Sequence, residues 1–248
     1  MKMGVFLSVI LWAWVLTVGA KNIEPRFDGK KITNDVFWNT AEGMPLYSQG
    51  GGIFRYPDPD TGRLRYYWYG VRYAEAVRYR EDPSVTYPAC TFEAVTCYSS
   101  DDLINWYYEG DVLTREEVDR YGRAGWVGRM GVAYLEAWNQ YVLVVQHDNG
   151  VLFALSHTPN GRFTWHRRIT MEKIIGTPNT GDQTVFVDED TRKPYLIYSY
   201  GRGRNRIYVS EIGIRDGQVD LLDCTQVFKG AGREGNCLFK YEGRYYMC

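Results

Sequence analysis

One sequence unit recurs four times along the chain and constrains the fold more than any other feature. Each unit has a short apolar segment, a turn of Asp, Gly, Asn or Lys, and then a segment rich in aromatic residues. The four units begin near residues 52, 131, 184 and 237, and in the first three a further strand-like segment follows. Short apolar and aromatic segments separated by turn residues are typical of antiparallel strands joined by hairpins. The sequence therefore predicts an all-β protein.

The recurrence also favours one all-β architecture. A unit of a few strands cannot bury both of its faces alone, whereas units packed radially as the blades of a β-propeller can. A β-sandwich is the competing fold, but it needs no unit that recurs along the chain. The fourth unit stops at Cys248, within its second strand. We therefore predict a β-propeller that is truncated within its fourth blade.

The N-terminal segment has the features of a signal peptide. Lys2 supplies the positive end, residues 5–18 are apolar, and small residues lead to Ala20. The apolar run is too short for a typical membrane span. We expect residues 1–20 to be cleaved near Ala20, which leaves a secreted or periplasmic mature chain without a membrane span.

Charge and cysteine content narrow the function classes. The net charge is −1, which gives no electrostatic reason to expect nucleic acid or an acidic membrane surface as a partner. The Arg-rich residues 202–206 are predicted to form a solvated turn. The five cysteines match no zinc spacing, and we expect neither a metal ion nor a cofactor. Export permits disulfides but leaves at least one cysteine unpaired, and the apolar patterns around Cys97 and Cys237 predict core positions.

The residues just before each apolar segment are candidate site residues, because the innermost strand of a propeller blade directs its first residues toward the central axis. Glycines there let the backbone approach a ligand or another strand, or form a tight turn or bulge. Aromatic residues, 16% of the chain, pack on sheets or stack on the apolar faces of sugars. The predicted substrate-binding residues are Gln49, Gly50, Gly51, Trp126 and Arg129.

Two carboxylates precede the third and fourth units at what the pattern indicates are matching positions, Asp182 and Glu234. Both are therefore predicted to face the axis. Hydrolysis of a glycosidic bond uses paired carboxyl groups, one of which donates a proton to the leaving oxygen. A single acidic residue near the start of a strand usually caps a turn or is solvated. Two in matching positions of an exported, aromatic-rich chain favour catalysis, and we predict that Asp182 and Glu234 are catalytic.

Several segments of the chain carry a family resemblance and occur in the family's order. They are residues 50–52, 66–70, 97–106 and 182–199, and Arg233-Glu234 followed by residues 238–240 and 243–246. From about residue 40 to its end, the chain resembles glycoside hydrolase family 43. Within that family it is similar to the galactan-active branch of exo-β-1,3-galactanases.

The resemblance implies a fold and a mechanism. It implies a five-bladed β-propeller glycosidase domain over residues 21–248, incomplete at its C-terminal end, and an inverting reaction. Glu234 would be the general acid, and Asp182 would orient it. The implied substrate is a plant-type polysaccharide or oligosaccharide, with exo-β-1,3-galactan as the leading candidate.

The chain also departs from the family's pattern. The usual general base is an Asp of the first blade, and Gln49, which stands near that place, has no carboxylate. The galactan-active branch also lacks this Asp, often has His where Gln49 stands, and is thought to use a Gln of the fifth blade. It has a second-blade Glu where this chain has Gly128 before Arg129. These departures leave two alternatives open, a non-catalytic carbohydrate-binding propeller and an inactive glycosidase homologue.

Overall fold

The computed structural model describes residues 31–32, 35–122, 125–148, 150–230, 232 and 234–248, so the predicted signal peptide lies outside the described residues. The described residues form three four-stranded sheets and one two-stranded sheet. The first sheet contains β1 (Gln49–Pro57), β2 (Leu64–Tyr73), β3 (Phe92–Ser100) and β4 (Tyr107–Thr114). The second contains β5 (Val127–Leu135), β6 (Gln140–His147), β7 (Gly150–Ser156) and β8 (Thr164–Ile169). The third contains β9 (Thr180–Val187), β10 (Pro194–Tyr200), β11 (Arg206–Arg215) and β12 (Gln218–Lys229). The last contains β13 (Leu238–Tyr241) and β14 (Arg244–Met247).

The helices are short and lie between strands. They are α1 (Ala76–Glu81), α2 (Arg115–Asp119), α3 (Glu172–Ile175) and one turn of 3₁₀ helix (Glu136–Trp138). No helix among the described residues has the length and apolar character needed to cross a membrane.

Each four-stranded sheet is an antiparallel meander in which strands pair in sequence order. The prediction of an all-β protein built from a repeated hairpin unit is confirmed. The fourth strand of each sheet, however, was not separated in the sequence as a strand of its own. These outer strands, β4, β8 and β12, are half-exposed over much of their length, and they therefore lack a continuous apolar pattern.

The sheets pack face to face, with their first strands β1, β5 and β9 side by side. One apolar core lies between the first and second sheets, and another between the second and third. Phe54 packs against both cores. The Tyr56 hydroxyl on β1 donates a 2.7 Å hydrogen bond to the Val132 carbonyl on β5. Four-stranded sheets that meet in this way have the arrangement of neighbouring propeller blades.

Each of the three first strands has an irregularity near its start. The register shifts between Gln49 and Gly52 in β1, between Val127 and Met130 in β5, and opposite residues 180–183 in β9. A β-bulge of this kind re-aims side chains and is common next to active sites. Four of the predicted site residues fall in these irregular segments: Gly50, Gly51, Arg129 and Asp182.

The connections that follow the second strands lie on the same side of the molecule as the starts of the first strands. This follows from antiparallel pairing, since Gln49 at the start of β1 pairs with Val71 near the end of β2. On this side, residues 74–91 join β2 to β3 and include α1, whereas only residues 201–205 join β10 to β11. Connections on a rigid scaffold are where binding residues concentrate, and we call this side the connection face.

The cysteines differ in burial. Cys97 on β3 is fully buried in the first core, as the sequence predicts. The prediction for Cys237 is wrong, because this residue is exposed. It stands directly before β13, whose sheet has only two strands among the described residues and leaves many of its side chains exposed.

Candidate active site

Asp182 lies in the irregular start of β9, and its side chain is only 12% exposed. The Gly235 N–H donates a 2.9 Å hydrogen bond to the Asp182 Oδ2 atom. The Nη2 atom of Arg129, on the neighbouring first strand β5, lies 3.4 Å from the same oxygen. A carboxylate this buried is stable when hydrogen bonds and a cation compensate its desolvation, and Asp182 has both.

The backbone around Asp182 is held from several directions. The Nε2 atom of buried Gln146 donates to the carbonyls of Thr180 and Gly181, at 3.0 and 2.6 Å. The Ser199 hydroxyl donates to the Asp182 carbonyl at 3.4 Å, and Asn236 Nδ2 lies 3.5 Å from it. The position of the carboxylate is thus fixed by side chains from the second and third sheets and by the segment before β13.

Glu234 has the opposite environment. It stands four residues before β13, and its side chain is 62% exposed. Its Oε1 atom lies 2.7 Å from Arg204 Nη1. Asp182 and Glu234 are not at matching strand positions as the repeat suggested, since Asp182 is within β9 and Glu234 precedes β13. The structure nevertheless brings the segment that carries Glu234 to Asp182, because Gly235, the residue after Glu234, is bound to the Asp182 carboxylate.

Arg204 is a site residue that the sequence analysis missed. The Arg-rich stretch does form a turn after β10, as predicted, but Arg204 contacts the candidate carboxylate Glu234 instead of only solvent. Its stem crosses Gly181, where an added Cβ atom would lie 3.0 Å from Arg204 Cγ, and its guanidinium pairs with Glu234. Its place on the connection face, in the connection after β10, is evident only from the fold.

Gly50 and Gly51 have different roles. Gly50 has a φ of +67°, and a Cβ atom added to it would lie 3.5 Å from Arg129 Cδ, so its backbone lies against the Arg129 stem. A Cβ atom added to Gly51 would lie 1.6 Å from the Tyr69 carbonyl oxygen on β2. Of the possibilities left open by the sequence, Gly51 therefore serves the close approach of another strand. Gln49 is exposed at the start of β1.

Trp126 stands directly before β5 and is 42% exposed. Its backbone N–H donates to Asp148 Oδ2 at 2.9 Å. Its indole covers Gly128, where an added Cβ atom would lie 2.0 Å from ring atom Cη2. The space in which the galactan-active branch is expected to carry a Glu side chain is therefore occupied by an aromatic ring in this chain.

The chain is similar to known proteins in its family pattern, its sequence and its structure. The model of glycosyl hydrolases family 43 matches residues 56–248. An exo-β-1,3-galactanase from Clostridium thermocellum is 28% identical, with a TM-score of 0.67 over 87% of this chain and 45% of that chain. An exo-β-1,3-galactanase from Phanerochaete chrysosporium is 22% identical, with a TM-score of 0.66 over 88% of this chain and 47% of that chain. A β-xylosidase from Formosa agariphila is 28% identical over 169 residues, 60% of this chain and 27% of that protein.

These matches differ in how much of each protein they cover. The family match covers well over half of the chain. The chain spans less than half of either galactanase structure and about a quarter of the β-xylosidase. The similarity to the Phanerochaete structure concerns the fold alone.

Proposed function

The chain belongs to glycosyl hydrolase family 43, and from this premise we propose that it is a glycoside hydrolase that acts on a plant-type polysaccharide or oligosaccharide, with exo-β-1,3-galactan as the leading substrate. The Clostridium relative, at 28% identity, supports this substrate over the xyloside of the Formosa relative because its match covers more of this chain. We further propose that the reaction inverts the anomeric configuration.

The observation that carries the proposal is the pair of carboxylates joined through Gly235. Glu234 is exposed and can reach a bound sugar, which suits a general acid that donates a proton to the leaving glycosidic oxygen. Asp182 is buried and held by Arg129 and Gly235, which suits a residue that orients the acid. In an inverting reaction a base activates water on the opposite face of the sugar, and Gln49 has no carboxylate for that role.

The remaining candidate residues would bind the substrate. Trp126 offers an exposed indole face on which a pyranose can stack. Arg129 is 39% exposed and supplies hydrogen-bond donors beside Asp182. Gln49 can hydrogen-bond sugar hydroxyls with both its amide nitrogen and its carbonyl oxygen.

The proposal extends to the whole domain and to its location. The three four-stranded sheets would be the first three blades of a five-bladed ring, and β13 and β14 the first strands of the fourth. Residues 21–248 would belong to this domain, and residues 1–20 would direct export to the periplasm or out of the cell. The N-terminal sequence of the exported protein is then expected to begin at Lys21.

The proposal is tested by comparing the wild type with Glu234→Gln on β-1,3-galactan, arabinogalactan, and aryl β-galactosides and β-xylosides. Glu189→Gln is the matched control, because Glu189 is an exposed acidic residue in the turn after β9. We expect sugar release by the wild type and the control, and a loss of about 100-fold or more in Glu234→Gln. NMR of the first product should show the α-anomer from a β-linked substrate.

A different result would favour the binding alternative. If the wild type releases no sugar from any substrate but binds one of the polysaccharides, and Glu234→Gln binds equally well, the protein is a carbohydrate-binding propeller. The binding alternative rests on the absence of a carboxylate at positions 49 and 128, which are Gln49 and Gly128 in this chain.

A further inference from the structure

A groove of about 670 Å³ opens beside the candidate active site and, apart from Gln49, is lined by residues that have no role in that site. It lies between the connection that contains α1 and the start of β1, on the connection face. We call it the α1 groove. Five aromatic residues line it together with Gln49, a candidate site residue. The aromatic residues are Phe37, Tyr47, Tyr73, Tyr79 and Tyr87.

The α1 groove exposes apolar surface to solvent. Phe37 and Tyr79 are each 45% exposed, and Val85 in the same lining is also exposed. Exposed apolar side chains gathered around one depression indicate a binding site more than scattered ones do. The volume also lies within the range of small-molecule sites in proteins.

The walls of the groove are held in place by contacts within the described residues. The rings of Phe37 and Tyr79 meet edge to face, with centroids 6.1 Å apart and an interplanar angle of 85°. Arg80 Nη1 donates to the Trp38 carbonyl at 2.9 Å, and the Arg80 guanidinium lies 5.2 Å from the Phe37 ring centroid. The aromatic wall is therefore positioned before any ligand arrives, which lowers the entropy cost of binding.

The groove adjoins the candidate active site through Gln49. Gln49 lines it, and the next residue, Gly50, lies against the stem of Arg129, whose guanidinium contacts Asp182. On the other wall, the Tyr73 hydroxyl donates to the Val127 carbonyl at 2.8 Å, two residues before Arg129. A chain of sugars with one linkage at the carboxylates can therefore extend into the groove.

We propose that the α1 groove is a subsite for a further sugar residue of the oligosaccharide whose scissile linkage lies at Glu234; this inference rests on the proposed function. The C–H face of a pyranose stacks on the Tyr79 and Phe37 rings. Its hydroxyls reach the hydrogen-bonding groups of Gln49 and Glu75, which also line the groove. The subsite makes longer oligosaccharides better substrates than short ones.

The test compares wild type and Tyr79→Ala on p-nitrophenyl β-galactoside and on β-1,3-galacto-oligosaccharides of two to five residues. Tyr107→Ala is the matched control, because Tyr107 is 41% exposed and begins β4 at the opposite end of the first sheet. We expect wild-type kcat/KM to rise about tenfold or more when the added sugar reaches the groove. Tyr79→Ala should lose that rise and keep its rate on the aryl galactoside within about twofold, and Tyr107→Ala should match the wild type.

Two results would overturn the subsite. One is an increase of kcat/KM with oligosaccharide length that persists in Tyr79→Ala, and the other is the absence of such an increase in the wild type. If the wild type hydrolyses nothing, the proposed function fails and the groove is judged by calorimetric binding of the same oligosaccharides. Oligosaccharide binding that is about tenfold weaker in Tyr79→Ala than in the wild type would then support the subsite. Equal binding by the two proteins would overturn it. The two failures are thus distinguishable.

Discussion

The backbone N–H of Gly235 donates a 2.9 Å hydrogen bond to the carboxylate of Asp182. This bond joins the start of the third sheet to the segment that carries Glu234, across 53 positions of the sequence. Because an N–H bonds more strongly to a charged acceptor than to a neutral one, the negative charge of Asp182 helps to hold Glu234 in place.

The first prediction concerns that charge. Asp182→Asn keeps the size of the side chain and an oxygen that can accept from Gly235, but it removes the ion pair with Arg129. We expect kcat/KM on the best substrate to fall by about 100-fold or more, with KM changed much less than kcat. Asp190→Asn is the control, since the Asp190 carboxylate is exposed in the turn after β9. A rate within threefold of wild type would remove Asp182 from the catalytic group.

The second prediction concerns Arg204. Arg204→Ala removes the 2.7 Å contact to Glu234, and we expect kcat to fall about tenfold, with partial recovery in Arg204→Lys. Both partners are substantially exposed, and exposed ion pairs contribute about 0–1 kcal/mol to stability. The melting temperature should therefore stay nearly constant, and this separates a positioning role from a structural one. Arg202→Ala is the control, because Arg202 is exposed in the same turn; equal losses in both variants would contradict the assignment.

The third prediction separates structure from binding at Gly51. A Cβ atom there would overlap the Tyr69 carbonyl oxygen, so Gly51→Ala must displace β1 from β2. We expect a loss of about 1–3 kcal/mol in the free energy of unfolding, measured by denaturant titration. Gly232→Ala should cost little, because within the described part of the chain no atom other than those of its sequence neighbours lies within 4 Å of an added Cβ atom there. Unchanged stability in Gly51→Ala would mean that Gly51 is free to contact substrate instead.

The sequence was sufficient for the fold class because the repeated unit combines apolar segments with turn residues, and these patterns depend only on local order. The outer strands were missed because half of each lies in water. β12, for example, is exposed over residues 223–229. Whether Gly51 approached a ligand or a strand could not be read from its neighbours, because the contact is with Tyr69, on the next strand.

The repeated unit also made part of the candidate site predictable. A repeat suggests which positions face the axis, and the segment that carries Glu234 does meet Asp182 through the Gly235 N–H. Their offset along the strands depends on where β13 begins, which the aromatic pattern leaves undefined. Arg204 could not be recognised because its partner is 30 residues away, and a turn rich in Arg and Gly has the composition of an ordinary solvated connection.

The fourth prediction concerns the effect of pH on the contact between the second and third sheets. The Val219 N–H donates to His166 Nε2 at 3.1 Å, so this ring nitrogen must be unprotonated. Burial, and then the neighbouring charge of Arg167, lower the pKa of His166 below its ordinary value of 6.5. Below pH 6.5 the unfolded chain therefore binds more protons at this position than the folded chain does. The stability contributed by His166 is present above pH 6.5 and decreases as the pH falls.

Thermal melts at pH 8, 7, 6 and 5 test this dependence in the wild type and in His166→Gln. Gln can accept from the Val219 N–H but does not titrate, so its melting temperature should change less between pH 7 and pH 5. We expect a difference of about 2 °C or more between the two proteins over that interval. His157→Gln is the control, because His157 is exposed and should retain the wild-type dependence. Parallel curves for wild type and His166→Gln would show that the Val219 contact does not couple protonation to folding.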